Sequence, residues 1–389
     1  MATLTATMNA LALDAAAIDA LRAEVRGGLI QPNDATYDEV RKVYNGMIDK
    51  RPALIVQCAD VADVISAVNF ARHHDLTLAV RGGGHNGPGL GICDDGLVID
   101  LVHLRSIRVD PANSTVRVEG GCVWGDVDHA THPFGLAVPT GFLSSTGVGG
   151  LTLGGGIGYL SRKYGLTIDS LLGVDIVLAD GRFVTASADE NADLFWAVRG
   201  GGGNFGVVTS FLFQGRPVHT VYGGPMFWPL EMGAELLSFW QDFILDASDD
   251  MNGWFGFATV PPAPPFPEAY HLQKMCVIVW CYTGALETAE AAFAPIRQFS
   301  RPRSILPGRF LSPRCKACSM ASIRLVCSGT GEQTSSTVTR MQRSTCTPNT
   351  RRNCPPCTRL CTSIRSTARR VACPRTRRLG AIETPTLRR

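Results

Sequence analysis

A chain of 389 residues, 45% of them apolar and 18% charged, is long enough for two domains and at least one large core. Its 41 glycines gather in clusters without a fixed period, which excludes collagen-like and repeat architectures. The formal net charge of +3 conceals a division: residues 301–389 hold 19 Lys+Arg against two acids, Glu332 and Glu383, whereas residues 1–300 hold 18 against 32. No apolar run reaches the roughly 18 residues of a membrane helix, and the N-terminus lacks a basic leader region, so the expectation is a cytoplasmic protein without a membrane partner.

Residues 15–26 and 36–44 read as short helices packed on the main body. "PALIVQC" (52–58) reads as a buried strand, followed by a helix over 60–75 with Val61, Val64, Ile65 and Val68 at helical spacing and Asp60 as its N-cap. "LTLAV" (76–80) completes a β-α-β unit. Short strands follow at 97–101, 106–110 and 115–120, then a hairpin over 174–187 turning on Asp180-Gly181. A helix is expected over 191–200, a strand over 205–213, amphipathic character in 230–245 and a strand at 276–282. This is α+β rather than regularly alternating α/β.

Three glycine clusters stand out: 82–91, 147–158 and 200–206. Gly82/Gly84/Gly87 and Gly201/Gly203/Gly206 both satisfy G-x-G-x-x-G, yet neither opens a helix: Gly87 precedes Pro88, and Gly206 leads into a β-branched strand. A Rossmann site, which needs a helix N-terminus at the pyrophosphate, is therefore disfavoured. Successive free backbone amides without side chains still form anion-binding concavities, and three clusters among strands favour a large phosphate-bearing ligand. No P-loop Lys-Ser/Thr pair follows, which argues against nucleotide hydrolysis. His73-His74 and His129 with His132 resemble metal pairs by spacing alone; without matching acids or cysteines they read as surface histidines, and no metal is expected.

"RGGGHN", "DDGLVIDL", "VEGGCVWGDVDHA", "STGVGGLTLGGGIGYLSRKYGLTIDSLLG" and "LFWAVRGGGGNFGVVTSF" together resemble the berberine-bridge-enzyme-like flavoproteins, FAD-dependent oxidoreductases of the vanillyl-alcohol-oxidase (PCMH-type) superfamily, and bacterial members of the 6-hydroxynicotine oxidase type in particular. The resemblance runs from about residue 20 to about residue 290. It implies a helical segment over 1–45 packed on a two-subdomain PCMH-type FAD-binding domain over 46–215. The start of an incomplete α+β substrate domain would span 216–300. The cofactor would be FAD, and the partners a small-molecule substrate and molecular oxygen or another electron acceptor.

The resemblance also implies roles for individual residues. The amides of Gly82, Gly83, Gly84 and Asn86, with Gly87 beside them, would face the FAD pyrophosphate. His85 would bond through a ring nitrogen to the flavin 8α carbon, a task suited to a neutral imidazole. Thr140, Gly141, Ser145, Gly147, Gly150, Gly154 and Gly158 would line the isoalloxazine and phosphate path. Asn204, Gly206 and Val208 would reach the adenosine end. Relatives often attach flavin a second time through a cysteine before "GVGG"; here Leu143 or Ser144 stands there, so a single bond is expected, with Cys122 a buried small residue. The relatives' catalytic base comes from the C-terminal part, and none is identified in this chain.

After about residue 300 the composition changes: one aromatic residue, Phe310, remains, and eight of the 13 cysteines appear. Cys315-x-x-Cys318 with Cys354-x-x-Cys357 allows a zinc-site reading, and the basic charge a nucleic-acid reading. Against them stand the 35 residues between the pairs and the lack of interleaved aromatics. The favoured expectation is a frameshifted, disordered tail over 301–389 that binds no nucleic acid. The leading function is a covalent FAD oxidoreductase acting on a small alcohol, sugar or amine; the alternatives are an inactive FAD-binding fragment, or zinc or nucleic-acid binding through the tail.

Overall fold

The alternation of apolar runs and amphipathic helix in the first hundred residues closes into a small sheet. The computed structural model describes residues 13–263, 266–299, 304–305 and 308–311. Helix α1 (Ala15–Glu24) leads to strand β1 (Gly28–Ile30) and a single helical turn, α2 (Tyr37–Val40). Strand β2 (Leu54–Gln57), helix α3 (Val61–His73) and strand β3 (Leu78–Arg81) form the expected β-α-β unit, and β4 (Leu97–Asp100) follows the first glycine loop. The order is β1-β2-β4-β3, with β2, β4 and β3 parallel and β1 antiparallel. As the sequence indicated, Asp60 caps α3, its side chain accepting from the Asp63 amide at 3.2 Å. The buried face of α3, with Val64, Ala67 and Val68, packs on Leu54, Val56, Leu97 and Ile99. Asp63 itself is 1% exposed. It accepts from the amides of Arg26, Gly27 and Ala59 at 2.8, 2.9 and 2.8 Å, and these charge-assisted bonds offset the cost of its burial.

A second, antiparallel sheet follows, built from β5 (Ile107–Asp110), β6 (Thr115–Glu119), β8 (Leu171–Val177), β9 (Phe183–Ser187) and β10 (Val207–Gln214), with β7 (Leu136–Ala137) apart from it. Helices α4 (Trp124–Thr131), α5 (Val148–Leu153), α6 (Ser161–Tyr164) and α7 (Ala192–Val198) lie between these strands in sequence. The sheet order is β5-β6-β10-β8-β9. Its core holds Val116, Val118, Trp124, Val127, Val174, Ile176, Phe211 and Phe213. The β8–β9 hairpin turns at Asp180-Gly181, with Gly181 at φ 86°. One expectation is corrected here. The second glycine cluster is not free of helix, because "VGGLTL" forms α5 despite two glycines. Burial of Val148, Thr152 and Leu153 outweighs the intrinsic preference, roughly 1 kcal/mol against each glycine.

The third layer carries β11 (Arg216–Pro217), which pairs β7, then β12 (Thr220–Pro229), α8 (Gly233–Asp246), β13 (Met251–Thr259), β14 (Lys274–Tyr282), α9 (Leu286–Phe299), β15 (Ser304–Ile305) and β16 (Gly308–Leu311). The order is β13-β14-β12, with β15 and β16 both pairing the far edge of β12. Helices α8 and α9 cover one face, burying Trp228, Trp280, Leu236, Ile244, Phe293 and Ile296. The sheet therefore continues past residue 300, and the boundary drawn there falls inside it. The remainder of the basic tail, with its zinc, nucleic-acid and disorder readings, lies outside the described residues.

This layer is fastened to the segment after the second glycine cluster. Asn252 Nδ2 donates to the carbonyls of Tyr159 and Gly158 at 2.9 and 3.3 Å, Lys163 pairs with Asp250, and Phe142 sets its ring edge-on to Trp254 at 4.4 Å. Among the described residues, no helix is long and apolar enough to cross a membrane.

Candidate functional site

The C-terminal ends of three parallel strands meet beneath the first glycine cluster: Gln57 ends β2, Arg81 ends β3 and Asp100 ends β4. Open sheets with parallel strands take ligands at this end. Arg81 and Asp100 pair at 2.7 Å with side chains 8% and 3% exposed, and Gln57 Nε2 donates to the same carboxylate at 3.3 Å. Arg81 Nη1 also donates to the Lys42 carbonyl at 3.2 Å. With both charges paired and further bonded, the network can stand the loss of water. It fixes the stem from which the loop departs. A cavity of about 290 Å³ opens here, lined by Lys42, Tyr44, Gln57, Arg81, Gly82–Gly84 and Asp100.

The loop itself is built to present backbone. The amides of Gly82, Gly83, Gly84 and Asn86 have no hydrogen-bond acceptor among the described residues. Asn86 spends its acceptors on the following turn, its Oδ1 taking the Leu90 amide at 2.9 Å and its carbonyl the Gly89 amide at 3.1 Å. The Gly87 carbonyl accepts from Asn45 Nδ2 at 2.8 Å. The second glycine cluster presses against this loop. A Cβ on Gly83 would stand 2.3 Å from the Gly147 nitrogen, and one on Gly147 would stand 2.3 Å from the Gly83 nitrogen. Only glycine at both positions permits that approach.

His85 follows directly. Its ring is half-buried and stacks on Tyr44, with centroids 3.9 Å apart and planes 17° from parallel. Burial lowers its pKa below the ordinary imidazole value, while a hydrogen bond to the Ser145 backbone pulls the other way. The net direction keeps the ring neutral, and a neutral ring retains one nitrogen lone pair. Ser145 thus meets the first loop through His85, as Gly147 does through Gly83.

The other residues singled out in the sequence divide into two groups. Gly150, Gly154 and Asn204 are exposed, and Thr140 and Gly141 are buried beneath the second cluster. Gly158, Gly206 and Val208 also answer to packing. A Cβ on Gly158 would stand 1.7 Å from the Thr140 carbonyl oxygen, and one on Gly206 would stand 2.4 Å from that of Val177. The Val208 side chain lies in the core of the second sheet and offers nothing to a ligand. Gly202 ties the third cluster to the second, its amide donating to the Leu153 carbonyl at 3.0 Å.

Cys122 is fully buried in the same core, and burial pushes its thiol up to about 12. Such a thiol is inert as a nucleophile. Leu143 and Ser144 stand before "GVGG" and supply no thiol either. His73 is exposed at the end of α3, His74 packs on Phe70, and His132 stacks on His219 at 4.6 Å. Among the described residues, no group of three or more His, Cys, Asp or Glu could hold a metal ion. Tyr44 and Asn45, which brace the loop, were not singled out by sequence reading; the only signal was their place in a segment expected to pack on the main body.

Comparison with known proteins matches residues 52–187 to an FAD binding domain family. The chain is 44% identical over 199 residues to an FAD-linked oxidoreductase of Dictyostelium discoideum, covering 51% of this chain and 44% of that one. It is 43% identical over 190 residues to (R)-6-hydroxynicotine oxidase of Paenarthrobacter nicotinovorans, covering 49% and 42%. The chain thus spans less than half the length of these curated relatives. The crystal structure of 6-hydroxy-D-nicotine oxidase from Arthrobacter nicotinovorans superposes with a TM-score of 0.70 at 32% identity, covering 80% of this chain and 66% of that one. Xylooligosaccharide oxidase from Myceliophthora thermophila superposes with a TM-score of 0.67 at 25% identity, covering 82% and 64%. The residues present fit FAD, since two glycine loops in backbone contact leave amides free to face its pyrophosphate. Residues 52–187 match an FAD binding domain family, and over about half of its length the chain is similar to FAD-linked oxidoreductases.

Proposed function

We propose that this chain is an FAD-dependent oxidoreductase that carries its flavin on one covalent bond, from a ring nitrogen of His85. It would oxidise a small alcohol, sugar or amine. Bound flavin supplies a hydride acceptor at N5 and passes the electrons to dioxygen or another acceptor. The chain's own contribution begins with the free amides of Gly82, Gly83, Gly84 and Asn86, which suit the charge of the pyrophosphate. The buried Arg81–Asp100 pair holds the stem of that loop, and Gly147 supports it from the far side. The names of the similar enzymes, a 6-hydroxynicotine oxidase and a xylooligosaccharide oxidase, support the amine and sugar classes of substrate. The observation that carries the reading is a neutral, half-buried histidine at the end of an amide-presenting loop.

Acid precipitation of the purified protein tests the bond. Yellow colour should stay in the wild-type pellet and leave with the supernatant in His85→Ala. Equal retention in the two proteins, or no flavin in either, would overturn the assignment. Cys122→Ala should retain the colour, because a buried thiol of such high pKa contributes no second bond.

A further inference from the structure

We propose that Tyr44 is a positioning residue that aims His85 at the flavin during covalent attachment; the inference rests on His85 being the attachment point. The rings lie face to face, 3.9 Å between centroids and 17° from parallel. The surrounding chain is built to hold that arrangement. The Tyr44 amide donates to the Gly84 carbonyl at 3.1 Å, and Asn45 Nδ2 donates to the Gly87 carbonyl at 2.8 Å. The Tyr44–Asn45 segment is therefore fastened to the loop on both sides of His85. Arg81, itself locked to Asp100, anchors the same segment through the Lys42 carbonyl.

Stacking suits this task for a geometric reason. The lone pair of a neutral imidazole lies in the plane of the ring, at its edge. A tyrosine over one face fixes that plane without covering the edge, so the nucleophilic nitrogen keeps its access while the ring loses its freedom to rotate. The Ser145 backbone lies close enough to the ring to work against the effect of burial on its pKa. Reaction rates depend steeply on such pre-alignment.

The bond that forms joins the free ring nitrogen of His85 to the flavin 8α carbon. One C–H of the 8α methyl and the imidazole N–H break, and the isoalloxazine ring gains those two protons and the electron pair. Dioxygen then takes two electrons and two protons from the reduced ring and leaves as hydrogen peroxide. Tyr44 exchanges nothing in this sequence; it acts through the orientation of His85.

The test follows attachment itself, not turnover. Full-length protein purified without flavin is mixed with FAD in air, and the covalent fraction is read over time as flavin fluorescence of the denatured chain. Free FAD bound without a covalent link is measured in parallel. Wild type and Tyr44→Phe should attach flavin at the same rate, because both carry the ring. Tyr44→Leu, which keeps apolar bulk, and Tyr44→Ala should be slowed about tenfold at saturating FAD, the scale of one aromatic pair. Their FAD concentration for half-maximal rate should stay unchanged, which a collapsed loop would not allow. Equal rates in wild type and Tyr44→Leu would overturn the inference while leaving His85 in place. A slowed Tyr44→Phe would overturn it too, by assigning the effect to the hydroxyl, as would a loss explained by weaker FAD binding. No covalent flavin in wild type would remove the His85 reading and this inference together.

Discussion

The hexapeptide Ala-Val-Arg-Gly-Gly-Gly occurs twice, at 79–84 and at 197–202, and the two copies do different things. The first ends a parallel strand. Its arginine is buried and paired with Asp100 at 2.7 Å, and its glycines point free amides outward. The second ends a helix. Arg199 is one-third exposed, stands 3.7 Å from Asp169 and lies over the Phe195 ring at 5.4 Å. Its Gly201 amide closes onto the Ala197 carbonyl at 3.1 Å, continuing the helical pattern, and Gly202 bonds to Leu153. Identical local sequence thus yields an amide-presenting loop in one place and a helix exit in the other. The difference lies in what precedes each copy. An edge strand beside one parallel neighbour has its stem fixed from that side by the Arg81–Asp100 pair, whereas a helix end must first satisfy its own carbonyls.

That contrast can be broken experimentally, most strongly at the first stem. Asp100→Asn leaves Arg81 as a buried cation without its carboxylate, and should lower stability by about 4 kcal/mol. Disruption of the second stem by Asp169→Asn should cost far less, since that pair is long and partly solvated. Urea unfolding of both variants makes the comparison. Next in size, Gly83→Ala drives a methyl into the Gly147 backbone and should cost about 3 kcal/mol together with FAD retention. In the second copy's loop, Gly203→Ala meets open space and should change stability by no more than about 0.5 kcal/mol. If Gly203→Ala nonetheless releases FAD, the third cluster touches the ligand after all.

A pH profile sharpens the comparison further, because only the first loop carries a histidine. Burial depresses the His85 pKa in the folded chain. Above its unfolded value of about 6.5 the ring is neutral in both states. Between that value and the lower folded one, the unfolded chain binds a proton that the folded chain refuses, so this contribution to stability is lost as the pH falls through the folded pKa. Flavin attachment should accordingly hold its rate from about pH 8 to about pH 6.5 and decline only in more acidic solution. A decline already at neutral pH would show a ring that is not desolvated.

Much of the first two sheets was legible in sequence. Alternation and helical spacing placed β2, α3 and β3, Asp60 announced its cap, and Asp180-Gly181 announced its hairpin. The third sheet was harder. Strand β12 contains Gly223-Gly224-Pro225, which reads as a turn; it is a strand because both of its edges are paired and both faces are buried. Strand β13 has glycines at Gly253 and Gly256 and few β-branched residues, and α9 carries Pro295 within it. In each case tertiary burial outweighs local preference. At the site, the glycine loops and His85 were readable because their chemistry is unusual. The stacking of Tyr44 on His85 and the Gly83–Gly147 contact were not, since they join segments distant in sequence through shape alone.

The bonds that run from β13 into the segment after the second glycine cluster have a mechanical consequence. Asn252 reads two successive carbonyls, Asp250 holds Lys163, and Arg162 donates to the Ala247 carbonyl, so the outer sheet is stitched to this turn along several residues on either side. A junction of that kind has no pivot. Rotation of the outer sheet against this turn would have to break those contacts together rather than one at a time.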